Sequence, residues 1–186
     1  MAREDKQRVH IDFEELFAPT VTVSSVLLLT AMACELDLDL CNFYIQQDFV
    51  QSDLEENVYT RLPQGCGRFG GKIVMLNKSM YGVKQASRQW HAYLTNCLLT
   101  SRFVQCLADE RVFRLMEEGS VVMTVVVHVD DIFAVGERAR CDQLGKDLDQ
   151  MVPVKNLGEL RWYSGCFFER DWEKGVLKIS QQAFAE

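Results

Sequence analysis

The chain is poor in residues that break or bend a backbone, with three prolines and eleven glycines among 186 residues. That scarcity leaves little room for long linkers or disordered low-complexity tracts. No run of about 18 consecutive apolar residues occurs, so no ordinary membrane-spanning helix is expected. The opening stretch, MAREDKQRVHIDFEE, lacks the apolar centre of a signal peptide, and an intracellular setting, cytoplasmic or nuclear, is expected. Positive charge is short as well: 20 Lys and Arg stand against 27 Asp and Glu, for a formal net charge of −7. Such a balance does not advertise a nucleic-acid or anionic-membrane binder. The seven cysteines, at 34, 41, 66, 97, 106, 141 and 166, form no CxxC pair and no Cys/His cluster, which argues against zinc. They read as reduced thiols acting as small buried hydrophobes.

What remains is the composition of a globular protein, 48% hydrophobic and 25% charged, long enough for one domain with a sizeable core. APTVTVSSVLLLTAMAC (18–34) predicts a helix with Val26, Leu27, Thr30, Ala31 and Cys34 on its apolar face. ELDLDL (35–40) alternates as a half-buried strand does and leads into CNFYI. QSDLEE predicts a turn before the strand NVYTRL, and PQGCGRFGGK joins that strand to KIVMLNK as a hairpin. Residues 81–103 predict the longest helix, with a stripe of Trp90, Tyr93, Leu94, Cys97 and Leu98. Strands RVFRLME, VVMTVVVHV and DIFAVG follow, then a helix over 137–151 with Leu144, Leu148 and Met151 on one face. The final stretch predicts two strands joined by DWEKG. This order predicts an α+β fold, a split β-α-β-β-α-β antiparallel sheet with helices on one face.

One place resists the bland reading. In VVMTVVVHVDDIFAVG, Asp130 and Asp131 interrupt an apolar run, where an unpaired buried carboxylate is costly. If the flanking strands pair, the two acids fall at the connecting turn, where they can reach solvent. Paired carboxylates suit hard divalent cations such as Mg²⁺, and two ions about 4 Å apart support phosphoryl transfer. An Asp-rich β-turn without any metal is the competing reading of this motif alone.

Neighbouring stretches add to it. FEELFAPT (13–20), FVQSDLEENVYTRLPQG (49–65), KIVMLNKSMYGVKQASRQWH (72–91), CLAD (106–109), VVVHVDDIFAVG (125–136), NLGELRWYSG (156–165) and LKISQQ (177–182) stand in order. Together they resemble the reverse transcriptase domain of copia-type (Ty1/copia) retrotransposons, over nearly the whole chain. HVDD is similar to that family's YVDD-type box. LNKSMYGVKQASRQW is similar to its LNKSLYGLKQAPRQW, with Ser87 where proline is usual. The resemblance implies a single fingers-palm domain over 1–186, with small fingers elements beside a palm and with the thumb and RNase H portions expected to be absent. It implies an RNA-directed DNA polymerase, a nucleotidyltransferase that takes an RNA/DNA template-primer and dNTP. Asp130 and Asp131 would hold Mg²⁺ or Mn²⁺. Phe49, Lys78, Lys84, Gln85 and Arg88 would contact nucleotide or template; for the basic residues a solvated surface is the other reading.

The pattern breaks at one motif. Where the family writes DVKTAF or DVDQAF, this chain has YIQQDF (44–49), and ungapped counting puts Tyr44 at the aspartate position. A neutral phenol is a poor Mg²⁺ ligand and cannot bridge two ions as a carboxylate can. The family's alanine has become Asp48, which adds negative charge where a triphosphate should lie. An impaired polymerase, with any metal weakly bound, is therefore expected. The alternatives are a domesticated, non-catalytic scaffold for a protein partner, a nucleic-acid-binding module without chemistry, and a residual metal-dependent nuclease.

Overall fold

The computed structural model of the protein describes residues 7–8, 10–11, 13, 16–163 and 165–181. Glu14 and Glu15 of FEELFAPT, Ser164 of NLGELRWYSG and Gln182 of LKISQQ lie outside the described residues. The chain divides into two compact units, Met1–Ala18 with Gln47–Thr95, and Pro19–Gln46 with Asn96–Glu186.

The first unit is built on an antiparallel hairpin of β2 (Asp53–Arg61) and β3 (Ile73–Lys78). The loop between them is closed by Leu62 N–H donating to Lys72 O and Gly71 N–H donating to Leu62 O, each at 2.9 Å. Gly70 is required there, because a Cβ would lie 2.6 Å from the Gln64 carbonyl oxygen. The expected turn QSDLEE is partly strand: Asp53–Glu56 belong to β2, and a single 3₁₀ turn at Phe49–Gln51 precedes it. The long helix is also shorter than expected. Tyr81–Gln85 form turns, and α2 runs Ala86–Thr100, crossing from one unit into the other. Of the expected stripe Trp90, Leu94, Cys97 and Leu98 are buried, and Tyr93 is half-buried.

The second unit holds a six-stranded antiparallel sheet. Its members are β1 (Asp39–Ile45), β4 (Phe103–Gln105), β5 (Val112–Glu117), β6 (Ser120–His128), β7 (Asp131–Gly136) and β8 (Val154–Glu159), in the order β4-β5-β6-β7-β1-β8. The β5–β6 turn places Glu118 and Gly119 at positive φ (50° and 81°), the backbone that matches strand twist in a tight hairpin. A smaller sheet pairs β9 (Trp162–Tyr163), β10 (Cys166–Asp171) and β11 (Val176–Ser180). The DWEKG hairpin is present between β10 and β11, β4 and β8 are additions to the expected strands, and the first expected C-terminal strand is split into β9 and β10, which pair with each other.

Only Asp39 and Leu40 of ELDLDL are strand, at the head of β1. Glu35 ends α1 (Val23–Glu35), Asp37 turns left-handed (φ 53°), and Leu38 N–H returns to Ala33 O at 2.9 Å. That is a helix-closing motif in which an αL residue lets the chain cap the orphan carbonyls. The face of α1 is also corrected: Val26, Leu29, Thr30 and Ala33 are buried, whereas Leu27 and Ala31 are exposed and Cys34 is half-buried. The helix is apolar nearly all round, so its composition did not single out one stripe.

Residues opposite one another in register share a face of the sheet, and faces alternate along each strand. Leu40, Asn42 and Tyr44 of β1 therefore lie on the face of Val135, Phe133 and Asp131 of β7. α1 packs there through Val26, Leu29 and Ala33, in one core with Leu40, Val126, Phe133, Val135, Leu160 and Tyr163. Cys41, Phe43 and Ile45 point the other way. α3 (Arg138–Asp149) covers them, and Gly145 sits so close that a Cβ would lie 2.9 Å from the Phe43 ring. The expectation of helices on one face is thus corrected. α1 and α3 flank opposite faces, because β1 and β7 are apolar on both sides.

Candidate active site

The β6–β7 hairpin closes on Val129 and Asp130, with His128 paired across to Asp131. Val129 holds φ at 56°, a left-handed backbone that a β-branched residue adopts only under strain. The turn is tied to the neighbouring strand, since Ile45 N–H donates to Asp130 O at 2.8 Å. Tyr44 is the register partner of Asp131 on β1. Tyr44, His128 and Asp131 therefore share one sheet face beside the turn that carries Asp130.

Asp131 is half-buried. Burial pushes its carboxyl above the usual range, the charge of Asp130 adds to the rise, and His128 opposes it. Behind it, Tyr163 lies 6.2 Å from the His128 ring and 5.6 Å from that of Phe133, centroid to centroid. Burial raises the Tyr163 phenol strongly, with the Asp131 charge acting in the same sense. Arg111 is buried, and burial lowers its guanidinium to about 10; its Nε donates to Pro19 O. Arg111 Nη1, Tyr163 Oη and His128 Nδ1 have no hydrogen-bond partner among the described residues. Sequence reasoning missed this polar layer. Its one visible signal was an arginine at the head of the strand RVFRLME.

The donor set is thin for a two-metal centre. Among the described residues no group of three or more His, Cys, Asp and Glu side chains gathers as a metal site. Asp130 and Asp131 suit one hard cation with water filling its shell. The place across from Asp131 that could supply another carboxylate holds a phenol that is 37% exposed.

The other expected site residues lie in the first unit. Phe49 stacks on Tyr81 at 4.8 Å, and the Tyr81 hydroxyl donates to the buried carboxylate of Asp48. That bond was not foreseen, and it gives Asp48 a structural partner. Lys78 Nζ pairs with Asp53 at 2.7 Å and donates to Gln51 O at 3.1 Å. The Lys84 ammonium lies 4.9 Å from the centre of the Phe13 ring, and its backbone N–H donates to Gln7 Oε1 at 2.7 Å. Gln85 is fully buried and accepts from Gln7 Nε2 at 3.0 Å. Arg88 faces Glu55 and Glu56 at 3.7 and 3.9 Å. Each basic side chain in the set thus has a local partner.

The family described as "Reverse transcriptase (RNA-dependent DNA polymerase)" matches residues 1–186, and the chain belongs to it. The chain is 30% identical over 186 residues to the retrovirus-related Pol polyprotein from transposon TNT 1-94 of Nicotiana tabacum, covering 97% of this chain and 14% of that protein. It is 29% identical over 176 residues to the corresponding polyprotein from transposon RE1 of Arabidopsis thaliana, covering 91% and 12%. The transposon Ty1-MR1 Gag-Pol polyprotein of Saccharomyces cerevisiae is 29% identical over 168 residues, covering 86% and 9%. These are copia-type elements, and the chain spans a small fraction of each relative. No solved structure matches it. Among the described residues no helix is long and apolar enough to cross a membrane.

Proposed function

We propose that the chain is the fingers-palm portion of a copia-type reverse transcriptase whose nucleotidyl transfer is lost or severely weakened. The second unit is the palm: the order β6-β7-β1-β8, with α2 between β1 and β6 and α3 between β7 and β8, supports a split β-α-β-β-α-β sheet. The first unit supplies the fingers. The observation that carries the reading of impairment is the register of Tyr44 against Asp131. Two-metal catalysis needs ligands held to a fraction of an ångström, and a phenol cannot bridge two ions. Asp130 and Asp131 bind one Mg²⁺ or Mn²⁺ weakly, and no turnover is assigned to that ion.

Primer extension on a homopolymer RNA template, with Mg²⁺ and with Mn²⁺, tests this reading. The unmodified chain should give no product above an Asp130→Asn/Asp131→Asn control, and a Tyr44→Asp/Asp48→Ala chain supplied with a thumb portion should give a trace. Product from the unmodified chain that the control abolishes would mean that another group supplies the third ligand.

A non-catalytic scaffold for a protein partner is the second reading. Val23 and Leu28 of α1 and Leu36 just past its end are 69%, 61% and 59% exposed, and Lys78 and Arg88 already face carboxylates. Filter binding across a salt series separates the two. Weak template-primer retention, poorer than about micromolar and falling steeply with salt, supports the polymerase lineage reading. No retention even at low salt supports the scaffold.

A further inference from the structure

We propose that the outer face of α1, with the groove between α1 and β11, is the surface through which two copies of this chain pair about a two-fold axis. All of it lies within the second unit. Of the 13 residues of α1 only Glu35 is charged, and it stands in the last position. A helix on the surface of a globular domain ordinarily turns polar side chains outward. Here Leu28, Met32 and Leu36 stand four residues apart as an exposed ridge, and the exposed Val23 and Leu27 widen the same apolar surface.

Beside the ridge runs a groove of about 360 Å³, lined by Leu27, Ala31 and Cys34 of α1 and by Gly175, Leu177 and Ile179 of the β10–β11 hairpin. Its walls are tied together. Cys34 Sγ donates to Gly175 O at 3.1 Å, and the buried Arg170 of β10 donates to Ala33 O at 3.3 Å and to Asp37 at 3.2 Å. The helix is thus pinned to the small sheet before anything docks, so little conformational freedom is lost on association.

Shape and area select a second copy as the occupant. An apolar ridge and an apolar groove side by side make the surface its own complement. The ridge of one copy enters the groove of the other, and the reverse contact follows by symmetry, as an isologous interface requires. The five apolar side chains of the α1 face, with Ile179, expose roughly 600 Å² per copy, the top of the range for the largest patch on a typical monomer. Two copies therefore cover roughly 1,200 Å² of apolar surface, where stable specific interfaces begin. A charged partner has little to hold, since Glu35 is the one charge on the helix. The proposal rests on the scaffold reading, which it deepens by naming the protein partner as a second copy.

Sedimentation equilibrium of the full chain over about 1–200 µM tests this, with a monomer–dimer equilibrium of about micromolar dissociation constant expected for an interface of this size. Each copy carries a net charge of −7 while the paired surface is apolar, so added salt should tighten the dimer. Leu28→Glu/Met32→Glu should be monomeric at every concentration. Both side chains are exposed, so the circular dichroism and melting temperature of the dilute chain should not change. Ala31→Trp fills the lip of the groove without adding charge and should weaken the dimer about tenfold or more. Leu107→Glu, at an exposed leucine outside the face, should leave it intact. A chain that stays monomeric throughout, one that grows beyond a dimer, or a dimer that survives both α1 variants overturns the proposal. A monomer would mean that some other partner covers the face. The scaffold reading is decided separately, by the salt series on template-primer, so its failure is distinguishable from this one.

Discussion

The two faces of the six-stranded sheet differ in what they demand of a residue. On the α3 side, Phe43 is fully buried and Gly145 leaves its ring no slack. On the other side, one residue further along β1, Tyr44 is partly open and stands across from a carboxylate. One face is fixed by packing, which punishes any change of volume. The other is packed by α1 over Leu40, Phe133 and Val135 but is charged at its Tyr44–Asp131 end, and a change at that end can leave the fold intact while altering the chemistry. A catalytic position can therefore be lost without losing the strand that carried it.

Neighbouring substitutions can break that comparison. Phe43→Ala should cost about 3–5 kcal/mol in urea unfolding, whereas Tyr44→Ala should stay within about 1 kcal/mol. Equal losses would mean that the two faces are packed alike.

A smaller effect is expected at the charged face. Tyr44→Asp should tighten Mn²⁺ binding about tenfold, measured by calorimetry or by the electron paramagnetic resonance of the free ion, because a third carboxylate joins two. An unchanged affinity would show that the register partner of Asp131 does not reach the ion.

The smallest effect is one of pH. The carboxyl of Asp131 is raised in the folded chain, so its ionised form is the disfavoured one. Stability is therefore given up as pH rises through that raised value and regained as pH falls below it. Asp131→Asn should accordingly raise the melting temperature at pH 7 by roughly 2 °C, a gain that shrinks on acidification and disappears below the ordinary carboxylate range. A gain independent of pH would point to packing instead of charge.

Much of the charged face was legible in the chain. The β-branched run before Asp130 and the apolar run after it suggested a hairpin with the acids at its turn, and Asp130 lies in that turn with Asp131 opening β7. Ungapped counting put Tyr44 at the family's aspartate position, and in the structure it pairs with Asp131. The packed face was less legible. The face of α1 stayed hidden because Leu27, Leu28 and Leu29 are chemically alike, and only the tertiary fit of Leu29 buries it. ELDLDL imitated strand alternation because a helix end followed by a left-handed aspartate can space leucines in the same way. β4 and β9, three and two residues long, are too short for any period to register. The Tyr81–Asp48 bond and the Arg111–Tyr163 layer join positions far apart in sequence, and no local pattern reports such pairs.

The register of β1 against β7 also bears on inheritance. It runs without a bulge from Asp39–Gly136 to Tyr44–Asp131, so the strand around residue 44 needs no repair. Tyrosine and aspartate codons differ only at their first base. A single transversion at codon 44 would return a carboxylate opposite Asp131, on the same face and at the same depth. An insertion or deletion within β1 would instead turn its later side chains to the wrong side. On the proposed reading the change at residue 44 is of the reversible kind, written in one letter and not in the reading frame of the sheet.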